Sequence, residues 1–331
     1  MNKKILLNEK IFIAGSKGMA GSAICRSLLN NGYGRKDNGG LLLTPSRRDL
    51  DLSCNISVKK WFSDNKPTVV IIAAARVGGI LANSNYPADF LLENLKIQTN
   101  LISACWEYKV KRSLFLGSSC IYPRNTSQPI EEESLLSGPL EKTNEPYALA
   151  KIVGIKLIET LAKQYHFDAI SLMPTNLYGP KDNYNDKNSH VMAAMIKRFS
   201  EAKRLALKSV TCWGSGNPLR EFMYVDDLGD AVVFALEKWD PNSIHAPLDK
   251  EGNPLFYLNA GTGKDISIKE LAQKIAKIYN YDGLIKWDFK KPDGTFRKRL
   301  NVERLSSLGW KPKTSLDEGI IKAINFYEKH H

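Results

Sequence analysis

Lys10-Ile11-Phe12-Ile13-Ala14-Gly15-Ser16-Lys17-Gly18-Met19-Ala20-Gly21 is the stretch whose reading decides the fold. Its first five residues read as a strand, and residues 19–29 repeat their apolar side chains at helical spacing. Between them the glycines stand as GxxGxxG. Such a turn serves three needs: a tight reversal, close approach of the backbone to a pyrophosphate, and close packing of the helix on the sheet. The helix N-terminus adds positive potential where phosphates would lie. Glycine-rich turns also arise without a ligand, and it is the position between a strand and a helix that gives this one its meaning.

Outward from this segment the alternation continues. Residues 41–44, 69–74, 113–117 and 169–173 read as strands, and residues 90–108 and 147–165 as long helices. The pattern predicts an α/β fold, a Rossmann-type doubly wound parallel sheet with ligands beyond the carboxyl ends of its strands. Beyond about residue 176 the loops lengthen, with helices still readable at 191–201 and 268–278. The expected division is a cofactor-binding domain over residues 1–175, with a return near 222–236. A smaller C-terminal α/β domain, mainly residues 176–331, would hold the substrate. The polar, Gly-rich segment 32–40 reads as a surface loop without catalytic meaning.

The bulk numbers narrow the function. The chain has 331 residues and a formal charge of +12, which points to an anionic partner, either nucleic acid or a phosphorylated small molecule. No long basic run or nucleic-acid motif occurs, so nucleic acid is not expected. The longest apolar runs are strand-sized, far short of a membrane span. Two lysines followed by Ile5-Leu6-Leu7 are too short for a signal-peptide core, and a cytoplasmic protein is expected. Five cysteines with no Cys/His cluster suggest reduced thiols and no metal site.

Two further segments carry chemistry. Tyr147-Ala148-Leu149-Ala150-Lys151 puts a phenol and an ammonium on one face of a helix, with Pro146 suited to the first turn. The lysine charge is expected to favour the phenolate, so that Tyr147 trades a proton with a carbonyl oxygen as hydride arrives from a nicotinamide. About thirty residues earlier, Leu116-Gly117-Ser118-Ser119-Cys120 ends a strand, and Ser118 can donate to the same oxygen. At the end of the second strand Ser46-Arg47-Arg48 stands where an NAD enzyme usually offers an acid. Arg47, helped by Lys17, suits a 2′-phosphate, so NADP(H) is the expected cofactor. Asp49 and Asp51 fall later than the expected acid.

Further motifs carry a resemblance. They are Ala74-Ala75-Arg76-Val77-Gly78-Gly79-Ile80, Asn85-Tyr86-Pro87-Ala88-Asp89-Phe90, Gly117-Ser118-Ser119-Cys120-Ile121-Tyr122-Pro123 and Thr143-Asn144-Glu145-Pro146-Tyr147-Ala148. With them go Met173-Pro174-Thr175-Asn176-Leu177-Tyr178-Gly179-Pro180, Asn188-Ser189-His190-Val191, Trp213-Gly214-Ser215-Gly216 and Lys291-Pro292-Asp293-Gly294-Thr295. Together they resemble the GDP-L-fucose synthase family of extended short-chain dehydrogenases/reductases, from about Ile11 to Trp310.

The resemblance implies roles. Gly15 to Gly21, Arg47, Leu116 to Ser119 and Pro174 to Leu177 would line NADP(H), and Tyr147, Lys151 and His190 would also touch it. Ser118, Tyr147 and Lys151 match the reductase triad. Cys120 and His190 match the base and acid of 3,5-epimerisation. Arg198, Trp213, Arg220 and Asp293 match substrate contacts, and Lys298 is a further candidate. The family commonly has Arg where Lys17 stands and Lys where Arg76 stands. The implied activity is conversion of a GDP-linked 4-keto-6-deoxy sugar by a homodimer. Two alternatives stay open: a reductase of a related 4-keto sugar, such as a heptose, without epimerisation, and a non-catalytic NADP-binding sensor. The intact Ser118-Tyr147-Lys151 set argues against the sensor.

Overall fold

A computed structural model describes residues 3–185, 189–291 and 293–331. Asn188 and Pro292, which stand in two of the quoted motifs, lie outside the described residues. Along the chain run β1 (Lys10–Ala14), α1 (Met19–Asn30), β2 (Leu41–Leu43), α2 (Asn55–Asn65), β3 (Val69–Ile72), α3 (Ile80–Asn85), α4 (Pro87–Glu107), β4 (Arg112–Leu116), α5 (Glu145–Tyr165) and β5 (Ala169–Pro174). There follow β6 (Asn176–Tyr178), α6 (Val191–Arg204), β7 (Ser209–Trp213), β8 (Leu219–Tyr224), α7 (Val225–Lys238) and β9 (Tyr257–Ala260). The last elements are β10 (Asp265–Ser267), α8 (Ile268–Ile278), β11 (Leu284–Asp288), β12 (Arg297–Lys298), α9 (Glu303–Ser307) and α10 (Leu316–His330).

The expected doubly wound sheet is present. Its order is β2-β1-β3-β4-β5-β9, and every pairing is parallel. Strand β3 is buried at all four positions, as its Val-Val-Ile-Ile sequence requires for a strand covered on both faces. Strand order reverses between β1 and β3, and that reversal opens the crevice where such sheets bind ligands. Strand β9 was not anticipated. Four residues carry too little local pattern to be read alone, and pairing with β5 is what places them.

Helix α7 lies on this sheet. Its Leu228, Ala231, Val232, Ala235 and Leu236 share one core with Ile11 and Ile13 of β1 and with Ile24 and Leu28 of α1. The segment expected to be a plain surface loop carries an anchor into the same region. Tyr33 is fully buried, and its hydroxyl donates to Glu237 Oε1 at 2.6 Å.

A second core gathers Met192, Ile196 and Phe199 of α6, Leu271 and Ile275 of α8, and Ile320 and Ile324 of α10. Beside it β8 pairs with β6, β10 and β12. Buried Glu221 of β8 fixes how these strands meet the first sheet. Its carboxylate accepts from the amides of Thr262 (2.5 Å), Gly263 (2.9 Å) and Leu300 (2.7 Å). Its main-chain carbonyl accepts from Thr175 Oγ1 at 3.2 Å and Asn176 Nδ2 at 2.8 Å, just past β5. One residue thus ties a cofactor-strand end to the strands that carry Arg220 and Lys298.

Candidate active site

A cleft of about 1120 Å³ runs from the glycine-rich turn to the second core. Every candidate residue named from the sequence lines it, from Gly15 through Lys298. At the turn, Gly15 has φ +87°, and a Cβ there would meet the Ala74 backbone nitrogen at 2.7 Å. A Cβ at Gly21 would collide with the Gly15 carbonyl, so helix and turn touch backbone to backbone. Gly18 differs. A Cβ there would meet only the Gly15 carbonyl oxygen, at 3.5 Å, an ordinary contact. The protein's own packing does not demand glycine at this position. Helix α1 starts next to it with no side-chain cap and no acid in its first turn. Its unpaired amides and open approach fit a pyrophosphate.

Arg47 is exposed at the cleft wall and Arg48 is not part of it. The two nearby acids are engaged locally. Asp49 accepts from the Ser46 amide at 2.8 Å, and Asp51 from the Ser53 amide at 2.9 Å. Asp49 feels the charge of Lys17 and Asp51 that of Arg47, but among the described residues neither cation forms a salt bridge, so both remain available to a phosphate.

At the end of β4 the chain turns through Ser118, whose Oγ accepts from the Cys120 amide at 3.2 Å. Lys151 is buried; its Nζ donates to the Leu116 carbonyl oxygen at 2.8 Å and stands 6.0 Å from the Tyr147 ring centroid. Burial holds its ammonium down to about 7. The Tyr147 phenol moves opposite to the expectation from sequence. Burial raises its pKa, the nearby Cys120 sulfur adds in the same direction, and the hydrogen bond to Ser118 works against them. Lysine is not what sets the phenol here, because it is turned to the Leu116 carbonyl.

The other wall comes from the second core. His190 is the N-cap of α6, yet its side chain caps nothing. Its surface is exposed to the cleft, and partial desolvation by the crowded walls holds its imidazolium pKa below the ordinary value. Trp213 is partly exposed, with the Arg198 guanidinium 5.0 Å and the Lys291 ammonium 5.1 Å from its ring. Arg220 donates to the Leu219 carbonyl at 2.8 Å. Asp293 lines the cleft, but its carboxylate oxygens accept from Ser215 N at 2.7 Å and Ser215 Oγ at 2.8 Å. It holds the turn that follows Trp213. Lys298 Nζ lies 3.5 Å from Cys120 Sγ.

Two cleft residues that stand in the quoted motifs were given no role from the sequence. Asn144 precedes α5 at the cap position but makes no side-chain cap, and its Oδ1 is buried with no partner. An asparagine there reads by default as a helix cap, so no sequence signal marked it. Arg76 pairs with Asp89 at 3.2 Å and with Glu93 at 2.5 Å, and it stands over the rings of Tyr86 and Phe90. Its partners sit one turn apart on α4 and could have been found from that spacing. Among the described residues no cluster could hold a metal ion, and no helix is long and apolar enough to cross a membrane.

The family model described as the NAD dependent epimerase/dehydratase family matches residues 11–245. The chain belongs to that family. Within it, the chain is 47% identical to GDP-L-fucose synthase 1 of Arabidopsis thaliana, over 98% of this chain and 94% of that one. It is 45% identical to GDP-L-fucose synthase of Escherichia coli (strain K12), over 96% of each. Among solved structures it is similar to a GDP-mannoheptose C4 reductase from Campylobacter jejuni with NADP bound. There the TM-score is 0.85 and the identity 33%, covering 98% of this chain and 99% of that one.

Proposed function

We propose that this chain is an NADPH-dependent 3,5-epimerase/4-reductase that converts GDP-4-keto-6-deoxy-D-mannose to GDP-L-fucose. The observation that carries the reading is one cleft holding the glycine-rich turn, the Ser118-Tyr147-Lys151 set, and both Cys120 and His190. Similarity to two GDP-L-fucose synthases over nearly the whole chain supports the substrate.

The residues divide the work. The C4 ketone acidifies the hydrogens on C3 and C5. Cys120 takes a proton from carbon, and His190, on the α6 side of the cleft, returns one. Ser118 and Tyr147 hydrogen-bond the enolate oxygen, where charge develops. Bound NADPH supplies the hydride for C4. Tyr147 then gives its proton to the C4 oxygen. Gly15 to Gly21, Arg47 and Lys151 hold the cofactor, with Leu116 to Ser119 and Pro174 to Leu177 along it. Arg198, Trp213 and Arg220 hold the nucleotide, with Asp293 fixing the turn beside them. Residues 1–175 with the return at 222–236 serve the cofactor, and residues 176–331 serve mainly the sugar.

The reading includes a homodimer. Leu92 and Trp106 on α4, with Leu149 and Val153 on α5, expose apolar area on two helices that pack together. Sedimentation at the monomer mass would refute that part.

The test is the product formed from GDP-4-keto-6-deoxy-D-mannose and NADPH, with stereochemistry read by NMR. GDP-L-fucose is expected. Reduction at C4 with C3 and C5 unchanged would instead support a second reading, a C4 reductase of a related GDP-4-keto sugar such as a heptose. Similarity to the Campylobacter reductase keeps that alternative in view, but at 33% identity against 47% and 45% for the two GDP-L-fucose synthases it is the less supported reading.

A further inference from the structure

We infer that Lys298 is the positioning residue for Cys120, the fixed cation that turns its sulfur toward the sugar and favours the charged form when the sulfur acts as base. The inference rests on the epimerase reading for its purpose, though its geometry does not depend on that reading. Strand β12 runs parallel to β8 with Lys298 in register with Arg220, and paired residues on neighbouring strands share a face. Consecutive residues of a strand point to opposite faces. Arg297 accordingly turns to Asp265, with Nε 2.5 Å from Oδ2, whereas Lys298 turns to the cleft and donates to Cys120 Sγ at 3.5 Å. Among the described residues no carboxylate pairs with Lys298, and the thiol is its one polar partner.

The groups facing Cys120 come from three elements. Lys298 and Arg220 bring two cations from the sheet, and Tyr147 brings a neutral phenol from α5. Arg220 is committed to the Leu219 carbonyl, which leaves Lys298 as the cation in contact with the sulfur.

The chemistry needs such a partner. Cys120 first loses its thiol proton to solvent, and the thiolate is the base. In the step itself a C–H bond next to the ketone breaks, an S–H bond forms, and the C–H electron pair becomes the enolate, with charge on the C4 oxygen. Lys298 keeps its own protons throughout. It stabilises the sulfur's charge before the transfer and fixes the direction in which the sulfur points.

The test is alkylation of Cys120 by iodoacetamide, without substrate, resolved by peptide mass spectrometry as a function of pH. Wild type, Lys298→Met and Lys298→Arg are compared, with Cys54, outside the cleft, as internal reference. In Lys298→Met the midpoint for Cys120 should rise by about one pH unit, an about tenfold loss of thiolate at neutral pH. Lys298→Arg should restore most of it. If Lys298→Met does not fold, Lys298→Gln serves, with circular dichroism as the check. An unchanged Cys120 profile in a folded neutral variant, with a raised KM for the sugar, overturns the inference and makes Lys298 a direct substrate contact. A shifted profile in a chain that exchanges no proton with any 4-keto sugar supports the pairing and refutes the epimerase reading instead.

Discussion

Tyr147 and Lys151 lie one turn apart on α5, yet the Lys151 ammonium donates to the Leu116 carbonyl oxygen at 2.8 Å rather than to the phenol. On the proposed reading the pair therefore acts through placement. Lys151 is buried at the base of the cleft, over the Phe115 ring, with its Nζ 4.6 Å from the ring centroid.

That burial has a pH signature. Lys151 is held down to about 7, against 10.5 for an ordinary lysine. Between those values the unfolded chain binds a proton that the folded chain does not, so this group makes stability rise with pH across the window. Below it the full penalty of a buried charge is present. In urea unfolding, the stability of Lys151→Met relative to wild type should be greatest below the folded value and decline as pH approaches the unfolded one. A difference that stays constant with pH would contradict the buried-charge account.

Arg47 should discriminate between cofactors. It stands exposed at the cleft wall and, among the described residues, forms no salt bridge, so Arg47→Ala should leave Tm nearly unchanged. Loss of a charge-assisted contact to the 2′-phosphate should weaken NADPH by about tenfold to a hundredfold and leave NADH nearly unaffected. Calorimetric titration with both cofactors checks this, and equal weakening would remove Arg47 from phosphate recognition.

The first sheet was legible because its signals are local. Strand β3 reads as a buried run, and the turn after β1 carries its glycines where backbone meets backbone. What escaped depends on distant partners. Strand β9 exists through its pairing with β5, and the contact between Lys298 and Cys120 depends on the register of β12 with β8. The direction of the Tyr147 shift was misread for a related reason. Helical spacing gives the separation of two side chains but not the carbonyl that one of them turns to.

Asn144 tests whether the cleft reads a sugar hydroxyl. Among the described residues its buried Oδ1 has no hydrogen-bond partner, and the residue lines the cleft. An unsatisfied buried acceptor costs about 1–3 kcal/mol, which a substrate hydroxyl could offset on binding. Asn144→Leu should hold or raise Tm while raising KM for the nucleotide sugar about tenfold or more. If Tm falls and KM does not move, Asn144 is a structural residue of the loop before α5.

On the proposed reading one cleft carries two separable chemistries, proton exchange through Cys120 and His190 and reduction through Tyr147 and Lys151. Deuterium incorporation at C3 and C5 of GDP-4-keto-6-deoxy-D-mannose in D2O, without and with NADPH, tests it most directly. A serine hydroxyl is far less acidic than a thiol, so Cys120→Ser should abolish exchange while still oxidising NADPH slowly with the unepimerised ketone. Tyr147→Phe should keep exchange and lose reduction by about a hundredfold or more. Exchange at the wild-type rate in Cys120→Ser would contradict the account.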